Sequence, residues 1–143
     1  MARPALVVDA SVGVKWFSPK DETALRQAVA IRNAHMAEEV LIIVPDLFYY
    51  EVANAIVRKE FFSSDMLQSA VSALFALGLR TARIEGSLLG NAVEISRRCN
   101  ITMYDSCYIV IAQDYGCPLV TANPRHPGRA LGCEVVAIEE WHG

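Results

Sequence analysis

Ala5-Leu6-Val7-Val8-Asp9-Ala10-Ser11, running on into Val12-Gly13-Val14-Lys15-Trp16-Phe17, is the stretch on which the fold turns. Its first four residues are apolar at every position, which predicts a strand buried on both faces rather than a half-exposed hairpin arm. The strand ends in an acid, and the residues after it predict a short helical segment. Similar runs recur at Leu41 to Val44, Thr81 to Ile84, Pro118 to Thr121 and Glu134 to Ile138. Between them lie helix candidates at Glu22 to Glu38, Asp46 to Phe61, Asp65 to Leu77, Ser87 to Cys99 and Tyr104 to Tyr115. Ser64 suits an N-cap, and Gly78, Asn100 and Gly116 suit left-handed positions at helix ends. Strands alternating with helices predict an α/β fold, because parallel strands need long right-handed crossovers whose helices cover the sheet. In such a fold the functional crevice opens at the carboxyl ends of the strands, beside the switch in strand order.

With no repeat, low-complexity tract or linker-like stretch, residues 1–143 read as a single domain. A chain of that length buries about two thirds of its unfolded surface and needs no disulfide or structural metal to fold. Thirteen basic against 16 acidic side chains, a net charge of -3, leave any nucleic-acid contact to a local basic patch. The 53% hydrophobic content exceeds what a small core needs and leaves room for a partner-binding face. Phe61, Phe62, Met66, Leu67, Val71, Leu74, Phe75 and Leu77 concentrate that surplus and suggest self-association. No apolar run approaches the roughly 20 residues of a membrane span, and the start of the chain lacks a signal-like apolar stretch, so a cytoplasmic, membrane-free protein is expected. Cys99, Cys107, Cys117 and Cys133 form no C-x-x-C and sit in apolar sequence, which predicts buried free thiols.

Three carboxylates stand out. Asp9 closes the first strand, where it either faces the crevice or caps the helix that follows. Glu51 lies in Pro45-Asp46-Leu47-Phe48-Tyr49-Tyr50-Glu51-Val52-Ala53-Asn54-Ala55-Ile56-Val57. Asn54 falls about 60° from it on a helix, so the two predict a polar notch that needs a partner if buried, or a solvent-facing stripe if not. Asp105, in Thr102-Met103-Tyr104-Asp105-Ser106-Cys107-Tyr108-Ile109-Val110-Ile111-Ala112, opens an apolar helix, where the helix dipole alone would favour an anion.

Brought together at one crevice, within reach of one ion, three acids predict a site for a hard cation, since Mg²⁺ takes oxygen ligands and a divalent charge relieves their repulsion. A cation so held can activate water against a phosphodiester. Phosphate-loop, dinucleotide, serine-hydrolase and zinc-protease motifs are all missing. His35, His126 and His142 lack zinc-ligand spacing, and His35 and His142 read as surface residues.

The runs Val7 to Phe17, Pro45 to Arg58, Thr102 to Ala112 and Pro118 to Asn123 resemble, in order and spacing, the four signature segments of VapC-like PIN domains, the toxin ribonucleases of VapBC-type toxin-antitoxin pairs. The resemblance spans Ala5 to Val136. It implies a three-layer α/β/α fold around a five-stranded parallel sheet, with the family's three core acids at Asp9, Glu51 and Asp105. It places an orienting hydroxyl at Ser11, a polar neighbour at Asn54 and a further hydroxyl at Thr121. The fourth segment commonly offers another acid, and here that position is Asn123, whose amide oxygen can ligate Mg²⁺ or Mn²⁺ but carries no charge. Pro124 to Arg129 is too rich in Pro and Gly for the regular helix often found there, and sets Arg125, His126 and Arg129 beside the site.

By this resemblance the chain is a Mg²⁺- or Mn²⁺-dependent endoribonuclease, dimeric, held inactive by an antitoxin, cutting single-stranded or looped RNA to leave a 5′-phosphate. Lys15, Arg125 and Arg129 are candidate RNA contacts, with Arg58, Lys59, Arg97 and Arg98 as further rim cations or simply solvated charges. Asn123 motivates a rival, a non-catalytic PIN module that binds RNA or protein. A receiver-like phosphoacceptor is disfavoured, because Asp9 is followed by Ala10 rather than a second acid.

Overall fold

The computed structural model describes residues 2–18, 24–123 and 132–143. Its sheet has five strands, all parallel: β1 (Ala5–Val8), β2 (Leu41–Pro45), β3 (Arg80–Ala82), β4 (Leu119–Thr121) and β5 (Val135–Ala137). They lie in the order β3-β2-β1-β4-β5, so β1 is central and the strand order reverses between β1 and β4. Val7 is in register with Ile43 on one side and Leu119 on the other. Val7, Val8, Ile42, Ile43, Val44 and Val120 are completely buried, as the unbroken apolar runs require.

The helices are α1 (Ala10–Lys15), α2 (Leu25–Met36), α3 (Leu47–Val57), α4 (Ser64–Ala76), α5 (Gly86–Cys99) and α6 (Met103–Tyr115), and a 3-10 turn (Ile138–Glu140) follows β5. The result is an α/β/α arrangement around the sheet. Seven consecutive residues of α6, Ser106 to Ala112, are buried, and the helix packs on α5, β1, β2 and β4. Thr102 caps its start by accepting from Asp105 N at 3.0 Å, and Gly116, at φ +61°, ends it.

Several sequence expectations need correction. The third strand ends at Ala82 rather than Ile84, and its first two residues are exposed, because β3 is a sheet edge with one strand beside it. The cap of α4 is Ser63, whose Oγ accepts from Met66 N at 3.2 Å, and Ser64 is already helical. The described part of the second helix starts at Leu25. None of the four cysteines is in a disulfide, and only Cys107 is fully buried.

His35 is no surface residue. It is 4% exposed, its Nδ1 accepts from Ile42 N at 3.1 Å, and its Nε2 lies 3.0 Å from Leu77 O. An acceptor at Nδ1 and a carbonyl at Nε2 fix the neutral Nε2–H tautomer, which donates to Leu77. The imidazole thus joins α2 to β2 and to the end of α4, satisfying two backbone groups that burial would otherwise leave unpaired.

One close approach sets the position of α3. Gly13 of α1 is buried against Phe48 and Val52 of α3, and a Cβ there would stand 2.5 Å from Phe48 Cζ and 2.9 Å from Val52 Cγ2. Helix propensity alone would favour Gly13→Ala by about 1 kcal/mol. Phe48 has no exposure and no room to retreat, so overpacking, which costs about 1–3 kcal/mol, wins. Urea unfolding of Gly13→Ala should therefore show a lower midpoint than wild type, and a raised midpoint would contradict this packing.

Candidate functional site

Asp9 follows β1 directly and is the N-cap of α1, so the two readings of its position are both met. Its Oδ1 accepts from Ser11 N at 3.1 Å and from the Ser11 hydroxyl, and its Oδ2 accepts from Thr121 Oγ1 at 2.5 Å. Thr121 is the last residue of β4, so this bond crosses the point where strand order reverses. Each hydroxyl is in turn oriented by a backbone donor. Ala122 N donates to Ser11 Oγ at 2.9 Å, and Asn123 N donates to Thr121 Oγ1 at 3.0 Å. Both hydroxyl protons are thereby committed to Asp9, and the 3.4 Å approach of Ser11 Oγ to Thr121 Oγ1 is a contact between acceptors.

Glu51 reaches the same cleft from α3, and its Oε1 accepts from the Tyr108 hydroxyl at 2.6 Å. Tyr108 is buried on α6, three residues after Asp105, so one helix face carries both. The cleft is lined by Asp9, Ser11, Glu51, Asp105, Thr121 and Asn123, with Leu119, Ile109 and Val135 as an apolar wall. At about 240 Å³ it is smaller than a typical drug-sized pocket and suits a phosphate with a hydrated ion better than an extended small molecule.

The acids are electrostatically coupled. Burial pushes the Asp9 carboxyl above its ordinary range, the Ser11, Thr121 and Val12 hydrogen bonds oppose the rise, and the Asp105 charge adds to it. Burial also raises Glu51, against the Tyr108 bond, and the charges of Asp105 and Asp9 raise it further. Tyr108 itself is held far into the neutral form by burial and by the carboxylate it serves. A cluster that pays for its own charge in this way favours any cation that enters.

Among the described residues, no three or more His, Cys, Asp or Glu groups are arranged so that they could hold an ion by themselves. Asp9 gives both oxygens to hydroxyls, and Glu51 gives one to Tyr108. The donor set nonetheless fits a hard cation, being all oxygen, and Mg²⁺ keeps several waters that span such gaps.

Other expectations sort differently. Asn54 is exposed and does not line the cleft, so the Glu51 notch is completed by Tyr108 instead. Lys15 is half-buried on α1 and is not among the lining residues. Arg125, His126 and Arg129 lie outside the described residues. The sequence alone does not single out Tyr108, although its spacing of three from Asp105 puts the two on a shared helix face.

The sequence matches the PIN domain family over residues 6–130. The chain belongs to the PIN-domain family. No curated protein sequence matches it. FitAcB from Neisseria gonorrhoeae has the same fold with a TM-score of 0.72 at 13% identity, over 95% of this chain and 99% of that one. VapBC2 from Rickettsia felis, bound to a DNA fragment from its promoter, gives 0.69 at 12%, over 96% and 99%. Mycobacterium tuberculosis VapC20, a toxin that cleaves the sarcin-ricin loop, gives 0.63 at 12%, over 82% and 87%. At these identities the likeness is one of fold.

In this PIN domain Tyr108→Phe removes the one hydrogen bond among the described residues that favours ionised Glu51, so the Glu51 carboxyl should titrate at higher pH than in wild type. Carbon-detected NMR of the glutamate carboxyls checks this, and an unmoved Glu51 curve would contradict it. The loss of a charge-assisted bond should also cost about 1–3 kcal/mol of stability.

Proposed function

We propose that the chain is a Mg²⁺- or Mn²⁺-dependent endoribonuclease and the toxin of a toxin-antitoxin pair. The observation that carries this reading is the single cleft at the carboxyl edge of a PIN fold where Asp9, Glu51 and Asp105 feel one another's charge. These three acids would hold the cation, with the Asn123 amide at the rim. The cation supplies charge neutralisation for a scissile phosphodiester and acidifies water to a nucleophile at neutral pH. Ser11 and Thr121 hold both oxygens of Asp9 in one orientation, and Tyr108 does the same for Glu51. A fixed carboxylate needs no reorganisation as charge develops, which is how such a site contributes to rate.

RNA is the substrate favoured here, cut to leave a 5′-phosphate. A small open cleft admits an unpaired nucleotide splayed from a loop more readily than a duplex, and VapC20 is a toxin that cleaves the sarcin-ricin loop. Lys15, Arg125 and Arg129 are assigned to phosphate contacts, which a chain of net charge -3 must make locally. The partner is an antitoxin, as in the toxin-antitoxin complex from Klebsiella pneumoniae, which shares the fold with a TM-score of 0.68 at 16% identity, over 93% of this chain and 97% of that one. Self-association would use the exposed apolar residues Tyr50, Val57, Phe61, Met66 and Phe75 on and between α3 and α4. No described helix is long and apolar enough to cross a membrane, in keeping with a cytoplasmic site of action. Asn123, in the place where an acid is common, favours the second reading, a non-catalytic PIN module that binds RNA or protein.

Calorimetric Mn²⁺ titration and RNA cleavage with and without metal separate the two. Asp105→Asn should lower Mn²⁺ affinity on the order of tenfold or more and abolish cleavage, because it keeps the shape and removes a charge. Asn123→Asp should tighten Mn²⁺ binding. Equal affinity in wild type and both variants, with no metal-dependent cleavage, would overturn the nuclease and leave the binding module.

A further inference from the structure

Cys117 and Cys133 flank the strand pair that carries part of the cleft. Leu119 is in register with Val135, and Leu119 N donates to Glu134 O at 2.9 Å. Cys117 and Cys133 each stand two residues before that registered pair, just ahead of β4 and β5, so the two chain segments enter neighbouring parallel strands side by side. Side chains two residues apart on a strand share a face, and registered positions on parallel neighbours share it too. Leu119 and Val135 themselves line the cleft. Neighbouring strands run about 4.8 Å apart, inside the window of about 4.4–6.8 Å between α-carbons that a disulfide can span. Both thiols are half-buried and free. Each is pushed toward the protonated form by burial, Cys133 to about 11, with the Cys117 charge adding to the rise at Cys133, so the two sulfurs are near enough to interact.

We infer that Cys117 and Cys133 form a paired-thiol site that a small-molecule disulfide of the glutathione class converts to an intrachain disulfide. One thiolate attacks a sulfur of the oxidant, forming a mixed disulfide and releasing one small thiolate. The second attacks the protein sulfur of that mixed disulfide, forming the Cys117–Cys133 bond and releasing the other. Two protein thiols are oxidised by two electrons and one small disulfide is reduced to two small thiols. The bond closes a ring of residues 117–133, which contains Thr121 and Asn123. Oxidation therefore ties down covalently the segment that supplies a hydroxyl to Asp9.

The test treats the native, full-length chain with oxidised glutathione at mildly alkaline pH, where the thiolate fraction is larger, followed by alkylation, intact mass and non-reducing peptide mapping. The expected product has lost two hydrogens, yields one peptide joining Cys117 to Cys133, and leaves Cys99 and Cys107 alkylated. Its thermal midpoint should rise, since the ring restricts the unfolded chain. Cys117→Ser and Cys133→Ser should each trap a single glutathione adduct instead. Two stable adducts on the wild type, a bridge to Cys99 or Cys107, or unreacted thiols at both positions would each overturn the pairing. None of these readouts depends on metal binding or on cleavage.

Discussion

Because β1 is paired in parallel on both of its edges, the chain can leave it only at the carboxyl rim of the sheet, and the first residue beyond the rim is Asp9. A carboxylate so enclosed loses hydration, and the hydroxyls of Ser11 and Thr121 replace that water with fixed donors. The same two bonds tie α1 and the end of β4 to one atom group across the switch in strand order. Removing either hydroxyl would leave a half-buried carboxylate short of a donor, so orientation of the site and stability of the sheet edge are one property here.

The other two acids depend on that edge through helix packing. Gly13 lets α1 lie close against α3, which sets where Glu51 enters the cleft. On α6, Thr102 fixes the first turn, and the residues after it present Asp105 and Tyr108 on one side. Three elements thus deliver three carboxylates to one space although each would be more stable apart. The strain of like charge is retained at the site while the surrounding apolar layers, Phe48, Ile109 and Ile111 among them, supply the stability to hold it.

The sheet was legible because its strands are apolar without interruption, and the same holds for α6. Asp9, Glu51 and Asp105 were legible as acids in apolar surroundings, and the structure brings them to one cleft. What sequence left hidden involves partners far apart in the chain. The Tyr108 bond to Glu51 joins residues 57 apart, and the His35 bond to Leu77 joins residues 42 apart. Asn54 misled for a related reason: helical spacing says which residues share a face but not which neighbour covers it, and this one is left to solvent. The edge strand β3 was overextended because apolar content does not report how many neighbours a strand has.

On the proposed function, the coupled acids at this rim would hold a divalent cation. Anomalous diffraction at the manganese edge, from crystals of the protein grown with Mn²⁺, tests it without reference to any substrate. The expected result is a peak bounded by the carboxylates of Asp9, Glu51 and Asp105, with Ser11, Thr121 and Tyr108 keeping their hydrogen bonds. A fully loaded crystal whose manganese lies elsewhere, with this cleft holding only water, would contradict it.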